Sequence, residues 1–195
     1  MNQPSTVIAH QERDGELDVK WRHLTFAVLR SIRYHAHRRQ FFDGWDKLFC
    51  FLVIIFGGCA LTNSVSGEWS GDVTIFATAA IAILGAIDLT IGFAMTARDH
   101  HDLERDFSEL ERRIVKAGRN PTWDDYTEMH NRRLEIEEEE PPKKAVLDCY
   151  CHNEVCRAVG KPHGEFARIW FFQSWFKQYL DILPSCLVKF DDLKK

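Results

Sequence analysis

A chain of 195 residues with 28% charged side chains and a formal charge of −4 has room for one compact unit and little for a separate catalytic domain. That balance gives no reason to expect a nucleic-acid partner. The average is also misleading, because nearly all the charge lies outside residues 48–97.

Residues 1–15 read as a flexible tail. Met1 to Lys20 is polar, without an apolar stretch or a small-residue cleavage site, so no cleavable signal peptide is expected and later segments must direct insertion. From 16 to 45 an amphipathic helix is expected, with Leu17, Trp21, Leu24, Val28 and Ile32 recurring at helical spacing. Two uncharged stretches follow within residues 46–98. Leu48 to Gly67 has no ionisable carboxylate or base, and Val73 to Ala97 has only Asp88. Each reaches about 30 Å as a helix, the thickness of a bilayer's hydrocarbon core. The connector Asn63 to Gly71 is too short to be a domain, so the pair reads as a transmembrane helical hairpin.

Arg22, Arg30, Arg33, Arg38, Arg39 and Lys47 precede the first span. Arg98, Arg105, Arg112, Arg113, Lys116 and Arg119 follow the second, and the connector has neither Lys nor Arg. The positive-inside rule then puts both termini in the cytosol. Trp45 and Trp69 stand where interfacial aromatics anchor a span.

Residues 99–195 read as a helical cytosolic region. The second span is expected to continue unbroken into it, with Leu103, Phe107, Leu110 and Ile114 on one face, ending at Gly118 and Pro121. Thr122-Trp-Asp-Asp125 offers an N-cap for a helix to about Glu137. The Glu135 to Glu140 run reads as a solvated linker edge before Pro141-Pro142. Another helix spans about Lys143 to Val159. A last one, about Gly164 to Leu183, carries Phe166, Trp170, Phe171, Phe172, Trp175 and Tyr179; packing against the other cytosolic helices is the favoured reading, lying in the membrane interface the alternative. No strand signal competes. The expected fold class is an all-α membrane protein, a two-helix transmembrane hairpin with a helical cytosolic region built from the N- and C-terminal segments.

Asp88 is the one ionisable residue inside a span. Such residues usually face a bundle interior or water. It shares a small and hydroxylated face with Thr74, Thr78, Ile81, Gly85 and Gly92, and small residues allow close helix approach. Asp88, Thr78, Gly85 and Gly92 are therefore candidates for lining or gating a pore. Two helices cannot enclose a hydrated path, so that reading requires a homo-oligomer. A protonated structural Asp88 in a tight hairpin or dimer without conduction is the alternative.

Arg33, His35, Arg38 and Arg39 adjoin the first span and are candidates for lipid-headgroup contact, with an activating ligand or partner as the alternative. No nucleophile with an oriented base and no phosphate-cradling glycine loop accompanies them, so neither an enzyme nor a cofactor is expected. Cys149, His152 and Cys156 fall on one helical face at i, i+3 and i+7, but the second ligand pair usual for zinc is missing. No metal is expected there, and a packed sulfur face is the ordinary reading. On the cytosolic side the cysteines should be reduced thiols.

Arg33-Tyr34-His35, Arg38 and Phe41-Phe42 ahead of the first span resemble the SLATT family, bacterial two-transmembrane effector domains of conflict systems. Gly57-Gly58-Cys59-Ala60, Arg98-Asp-His-His-Asp-Leu103 and Cys151-His-Asn-Glu154 add to the resemblance, which covers residues 16 to 160. It implies a pore-forming effector in the bacterial inner membrane, acting in antiviral defence, with a cytosolic sensor protein or a nucleotide second messenger as trigger. The helices around Leu103 to Ile114 would carry that cue to the spans. A non-conducting membrane anchor or adaptor that binds a cytosolic partner is the rival expectation.

Overall fold

The computed structural model describes residues 4–67, 71–118 and 120–178, the side chains of residues 4–12 and 176 excepted. The described backbone is helical, with no strand. Its elements are α1 (Pro4–Ser66), α2 (Gly71–Ile91), α3 (Phe93–Ala117), α4 (Trp123–Glu138), α5 (Ala145–Ala158), a 3-10 turn at His163–Glu165 and α6 (Phe171–Phe176). Two compact units divide the chain, one from Met1–Ala36 with Asp102–Lys195 and one from His37–His101.

The first unit is organised by a repeat of three and four residues. Leu17, Trp21, Leu24, Val28, Ser31 and His35 form a buried stripe on α1, and Leu103, Phe107, Leu110 and Ile114 form one on α3. Spacing of this kind keeps one seam of each helix against its neighbour, as in a coiled coil. Met129 and Ile136 of α4 close the cluster. The stripe on α3 is the one expected; on α1, Ser31 and His35 take over where Ile32 was expected, and Ile32 packs at the edge. Each large apolar side chain buried this way contributes roughly 1.5–3 kcal/mol relative to exposure.

α4 starts where the sequence places it, because Thr122 and Asp125 form a reciprocal capping box. The Asp125 carboxylate accepts from the Thr122 amide at 2.8 Å, and the Asp125 amide donates to the Thr122 hydroxyl at 3.1 Å. That amide bond, reinforced by the hydroxyl, holds the Asp125 carboxyl below its ordinary value. α5 packs Tyr34, Leu147 and Cys151 together and ends at Gly160, where φ is +68°. The Lys161 amide there donates back to the Cys156 carbonyl at 2.8 Å. Glycine adopts that left-handed position without the steric penalty other residues carry.

The aromatic segment departs from expectation. The expected helix from Gly164 to Leu183 is replaced by the 3-10 turn, extended backbone at Phe166 and Trp170, and the six-residue α6; Tyr179 and Leu183 lie outside the described residues. Asn153 is the physical cause. Its buried amide donates to the Ala167 carbonyl and accepts from the Ala167 amide, both at 2.8 Å. A side chain that satisfies both backbone groups of one residue competes directly with helix formation. Trp170, Phe171, Phe172 and Trp175 are left exposed instead of packed.

In the second unit, the long apolar parts of α1 and α2 are each long and apolar enough to cross a membrane. Large side chains on them point outward, including Ile54 at 71% and Leu89 at 88% exposure. An aromatic cluster of Phe42, Phe49 and Phe93, with Trp45 and Leu84 packed against it, holds one end. At the other, the Asn63 amide donates to the Thr74 hydroxyl at 2.7 Å. Trp69 lies outside the described residues.

The expected unbroken exit from the second stretch is interrupted at Gly92, between α2 and α3, where φ is +64°. The Gly92 carbonyl keeps its bond from the Thr96 amide at 2.9 Å, and the Thr96 hydroxyl, which also donates to it at 3.0 Å, reaches the Ile91 carbonyl at the end of α2 at 3.4 Å. Such a hydroxyl is one of the usual ways a helix break in an apolar segment is tolerated.

Candidate functional site

The small-residue face of α2 divides in two. Thr74, Ala77, Ile81, Leu84, Asp88 and Gly92 recur every three or four residues as its more buried side, while Thr78 and Gly85 are exposed at the rim. Ala77 alone of these is fully buried. The Thr78 hydroxyl donates to the Thr74 carbonyl of its own helix at 2.9 Å, so its proton is already committed. Asp88 is half-buried, and its carboxylate has neither hydrogen bond nor ion pair among the described residues. Its backbone carbonyl is engaged, accepting from the Gly92 amide at 2.7 Å. Thr78, Gly85 and Asp88 thus share α2, Gly92 lies at the break that follows it, and of these side chains only the Asp88 carboxylate offers an unused polar group.

The basic residues ahead of the first apolar stretch fall in both units. In the second, Arg38 lies over the ring of Phe42 at 4.6 Å and that of Phe41 at 5.6 Å. Stacking of this kind holds a guanidinium against an aromatic face while its edge stays polar. Arg39 donates to His101 Nδ1 at 3.1 Å. Phe42 also stacks on His100 at 5.8 Å, and Trp45 on Phe93 at 6.2 Å.

In the first unit, Arg33 Nη1 donates to the Leu29 carbonyl one turn back at 3.2 Å. His35 is fully buried, stacked on Phe107 at 5.7 Å, with Nε2 2.9 Å from Glu140 Oε1. Glu140 Oε2 lies 2.8 Å from Lys143 Nζ, which donates to Ser31 Oγ at 3.3 Å. The Lys144 amide donates to the Tyr34 hydroxyl at 2.8 Å. Glu140 is therefore not part of a solvated run: it is the centre of a buried polar network that ties the segment after α4 to α1. Burial pushes its carboxyl upward, and the hydrogen bonds from His35 and Lys143 outweigh that, leaving it below its ordinary value.

Ser31, Glu140 and Lys143 were not singled out from the sequence. One signal was available, since Ser31 and His35 continue the spacing of Leu17, Trp21, Leu24 and Val28. Polar residues in register with an apolar seam must find buried partners.

Among the sulfur residues, His152 Nε2 lies 2.9 Å from the Glu165 carbonyl and 3.4 Å from Cys156 Sγ. The carbonyl can only accept, so His152 carries the proton on Nε2. Cys149 does not complete a three-ligand group with them among the described residues. Cys151 is fully buried, and its thiol is pushed up to about 12, first by burial and then by the carboxylates of Glu154 and Asp148. It remains a packed, unreactive thiol at neutral pH.

No family model, no curated protein and no solved structure matches this chain.

Proposed function

We propose that the protein lies in a bacterial inner membrane with the apolar parts of α1 and α2 spanning the bilayer and both termini in the cytosol, and that several copies assemble to form or gate a pore. Its role would be that of an effector in a conflict system, as the resemblance to the SLATT family implies, responding to a cytosolic sensor protein or a nucleotide second messenger. The apolar windows of the two helices are only 11% and 6% buried, which is what lipid-facing helices need and what the core helices of a water-soluble protein do not have. The orientation rests on the Lys- and Arg-free connector.

Asp88 is the single observation that carries the pore reading. A carboxylate at that depth costs about 2.5–3.5 kcal/mol or more in lipid. Without a side-chain partner among the described residues, it is best satisfied by water or by a second copy. Assembly of several α2 faces supplies both.

Expression in bacteria loaded with a membrane-potential dye tests the reading, alongside ion flux from liposomes holding the purified protein. Wild type should depolarise, and Asp88→Leu at equal membrane abundance should lose most of that effect. Full depolarisation by Asp88→Leu would remove Asp88 from the mechanism.

A second reading, a non-conducting anchor or adaptor, is favoured by the exposed Trp170, Phe171, Phe172 and Trp175, a surface suited to an apolar partner. A monomeric or dimeric particle without ion flux would select it.

A further inference from the structure

We infer that the aromatic segment from Arg168 to Trp175 is a docking surface for the anionic leaflet of a bilayer. Trp170, Phe171, Phe172 and Trp175 are all exposed, Trp175 at 72%. Their outward placement is imposed from the opposite side of the segment. Asn153 pins Ala167 through two bonds at 2.8 Å, and Gln173 turns inward and is buried. Gln173 Oε1 accepts from the Trp170 amide at 2.9 Å, so α6 starts with its polar side held to the unit. Phe171 lies 5.8 Å from Phe172 and 5.9 Å from Trp175, which gathers the rings into one patch. An exposed patch of large rings marks a surface that meets an apolar surrounding.

The charge beside the rings selects a lipid surface over an apolar protein. Between residues 157 and 177, Arg157, Lys161, Arg168 and Lys177 stand against one carboxylate, Glu165, which is half-buried. The carboxylates of α5, Asp148 and Glu154, are half-buried too, Asp148 against Arg30 at 3.3 Å. A hollow of about 290 Å³ beside the rings has Arg157 and Arg168 in its wall and no carboxylate. Both arginines are exposed, and neither makes an ion pair among the described residues. The Arg168 guanidinium lies 5.1 Å over Trp170, and that of Arg157 lies 6.0 Å over Phe166. Stacked in this way, a guanidinium keeps its edge donors for a phosphate. Tryptophan with flanking cations is the composition of the interface between bilayer and water, rings at headgroup level and cations on anionic lipid. A purely apolar protein groove would desolvate both guanidinium groups without offering them an anion. Docking rests on the reading of α1 and α2 as spans, because covalent attachment to spans keeps the bilayer at high effective concentration. It stands whether or not Asp88 lines a pore.

Tryptophan fluorescence of the full chain in nanodiscs of phosphatidylcholine and phosphatidylglycerol tests the docking, with lipids brominated near the headgroup end of the acyl chain as quencher. Trp170→Phe with Trp175→Phe keeps large apolar rings at exposed positions and so leaves folding intact. The emission lost in that double variant is the emission of the two indoles. It should be blue-shifted, quenched by the brominated lipid and shielded from acrylamide in the water. Arg157→Gln with Arg168→Gln, made in both backgrounds, removes two charges that are each worth about fivefold in occupancy of an anionic surface. The docked-to-free ratio read from the quenching should fall by about that factor for each arginine.

Indoles that bromine leaves unquenched and acrylamide reaches overturn the docking. Indoles shielded from acrylamide yet unquenched by bromine are covered by a second copy of the chain, which overturns the lipid as their partner. Quenching that neither the arginine variant nor discs of phosphatidylcholine alone reduce overturns the anionic headgroup. Failure of the chain to enter nanodiscs overturns the spans themselves, whereas entry without quenching overturns the docking alone.

Discussion

The two units solve the burial problem in opposite ways. In the first, Phe107 and Val28 are completely buried, and even the polar Ser31 and His35 are enclosed. In the second, Leu89, Ile54 and Val65 point outward, and Asp88 has no side-chain partner among the described residues. The first hides the seam between α1 and α3 within itself and leaves its aromatic segment exposed; the second turns the apolar faces of its two long helices outward. The difference teaches that apolar spacing is satisfied inside the first unit's seam and left outward along helices of the second that are long and apolar enough to cross a membrane. The sharpest way to break the contrast is a matched pair of truncations. Phe107→Ala should lower the stability of the first unit by about 3–5 kcal/mol, because it leaves a cavity in a packed seam. Leu89→Ala, at 88% exposure, should change the stability in lipid nanodiscs by less than about 0.5 kcal/mol. Comparable losses in thermal melts of both variants would mean that Leu89 is packed against protein and would undo the distinction.

The next largest effect concerns how the units treat carboxylates. Glu140 is paired from both sides, so Glu140→Ala leaves His35 buried without its partner and should cost about 3 kcal/mol. The same network sets a pH dependence. A carboxyl held below its ordinary value stabilises the fold above the unfolded value, and that contribution is lost as pH falls through the depressed folded one. Acid titration of the wild type should therefore show loss of stability beginning below pH 4.5, the ordinary value, and Glu140→Gln should flatten that part of the curve. An acid profile identical in the two proteins would show that the pairing contributes nothing to stability.

Much of this contrast was legible in residue spacing. The stripe Leu103, Phe107, Leu110, Ile114 is a purely local pattern, and a local pattern survives into the structure because one helix face has one neighbour. The capping box at Thr122 and Asp125 was legible for the same reason, both partners lying within one turn. Glu140 was not, since His35 is 105 residues away and nothing in a run of glutamates marks which one will be buried. Asn153 escaped notice likewise. Its effect on Ala167 depends on a contact 14 residues on, and it overrode a segment whose aromatic spacing had read as helix. On the candidate site, Asp88 could be found from composition alone, but its place on the half-buried side of α2, with Thr78 at the rim, needed the fold.

The smallest expected effect sharpens the comparison on the second unit's side, where the backbone rather than a packed seam carries a special feature. Gly92 holds φ at +64°, and a Cβ built there would lie 3.8 Å from Met95 Cβ, an ordinary contact. Space is therefore not what selects glycine; backbone conformation is. An L-residue in the left-handed region costs about 1–2 kcal/mol, so Gly92→Ala should destabilise the second unit by about that amount. Asparagine visits the same region more readily than alanine, so Gly92→Asn should lose less. Thermal melts in lipid nanodiscs should rank glycine above asparagine and asparagine above alanine. If Gly92→Ala instead melts with wild type, the helix closes over the break without penalty, and the interruption between α2 and α3 has no hold on the chain. If the three rank as stated, the break is a fixed element of the unit, placed four residues after the one carboxylate that its apolar stretch contains.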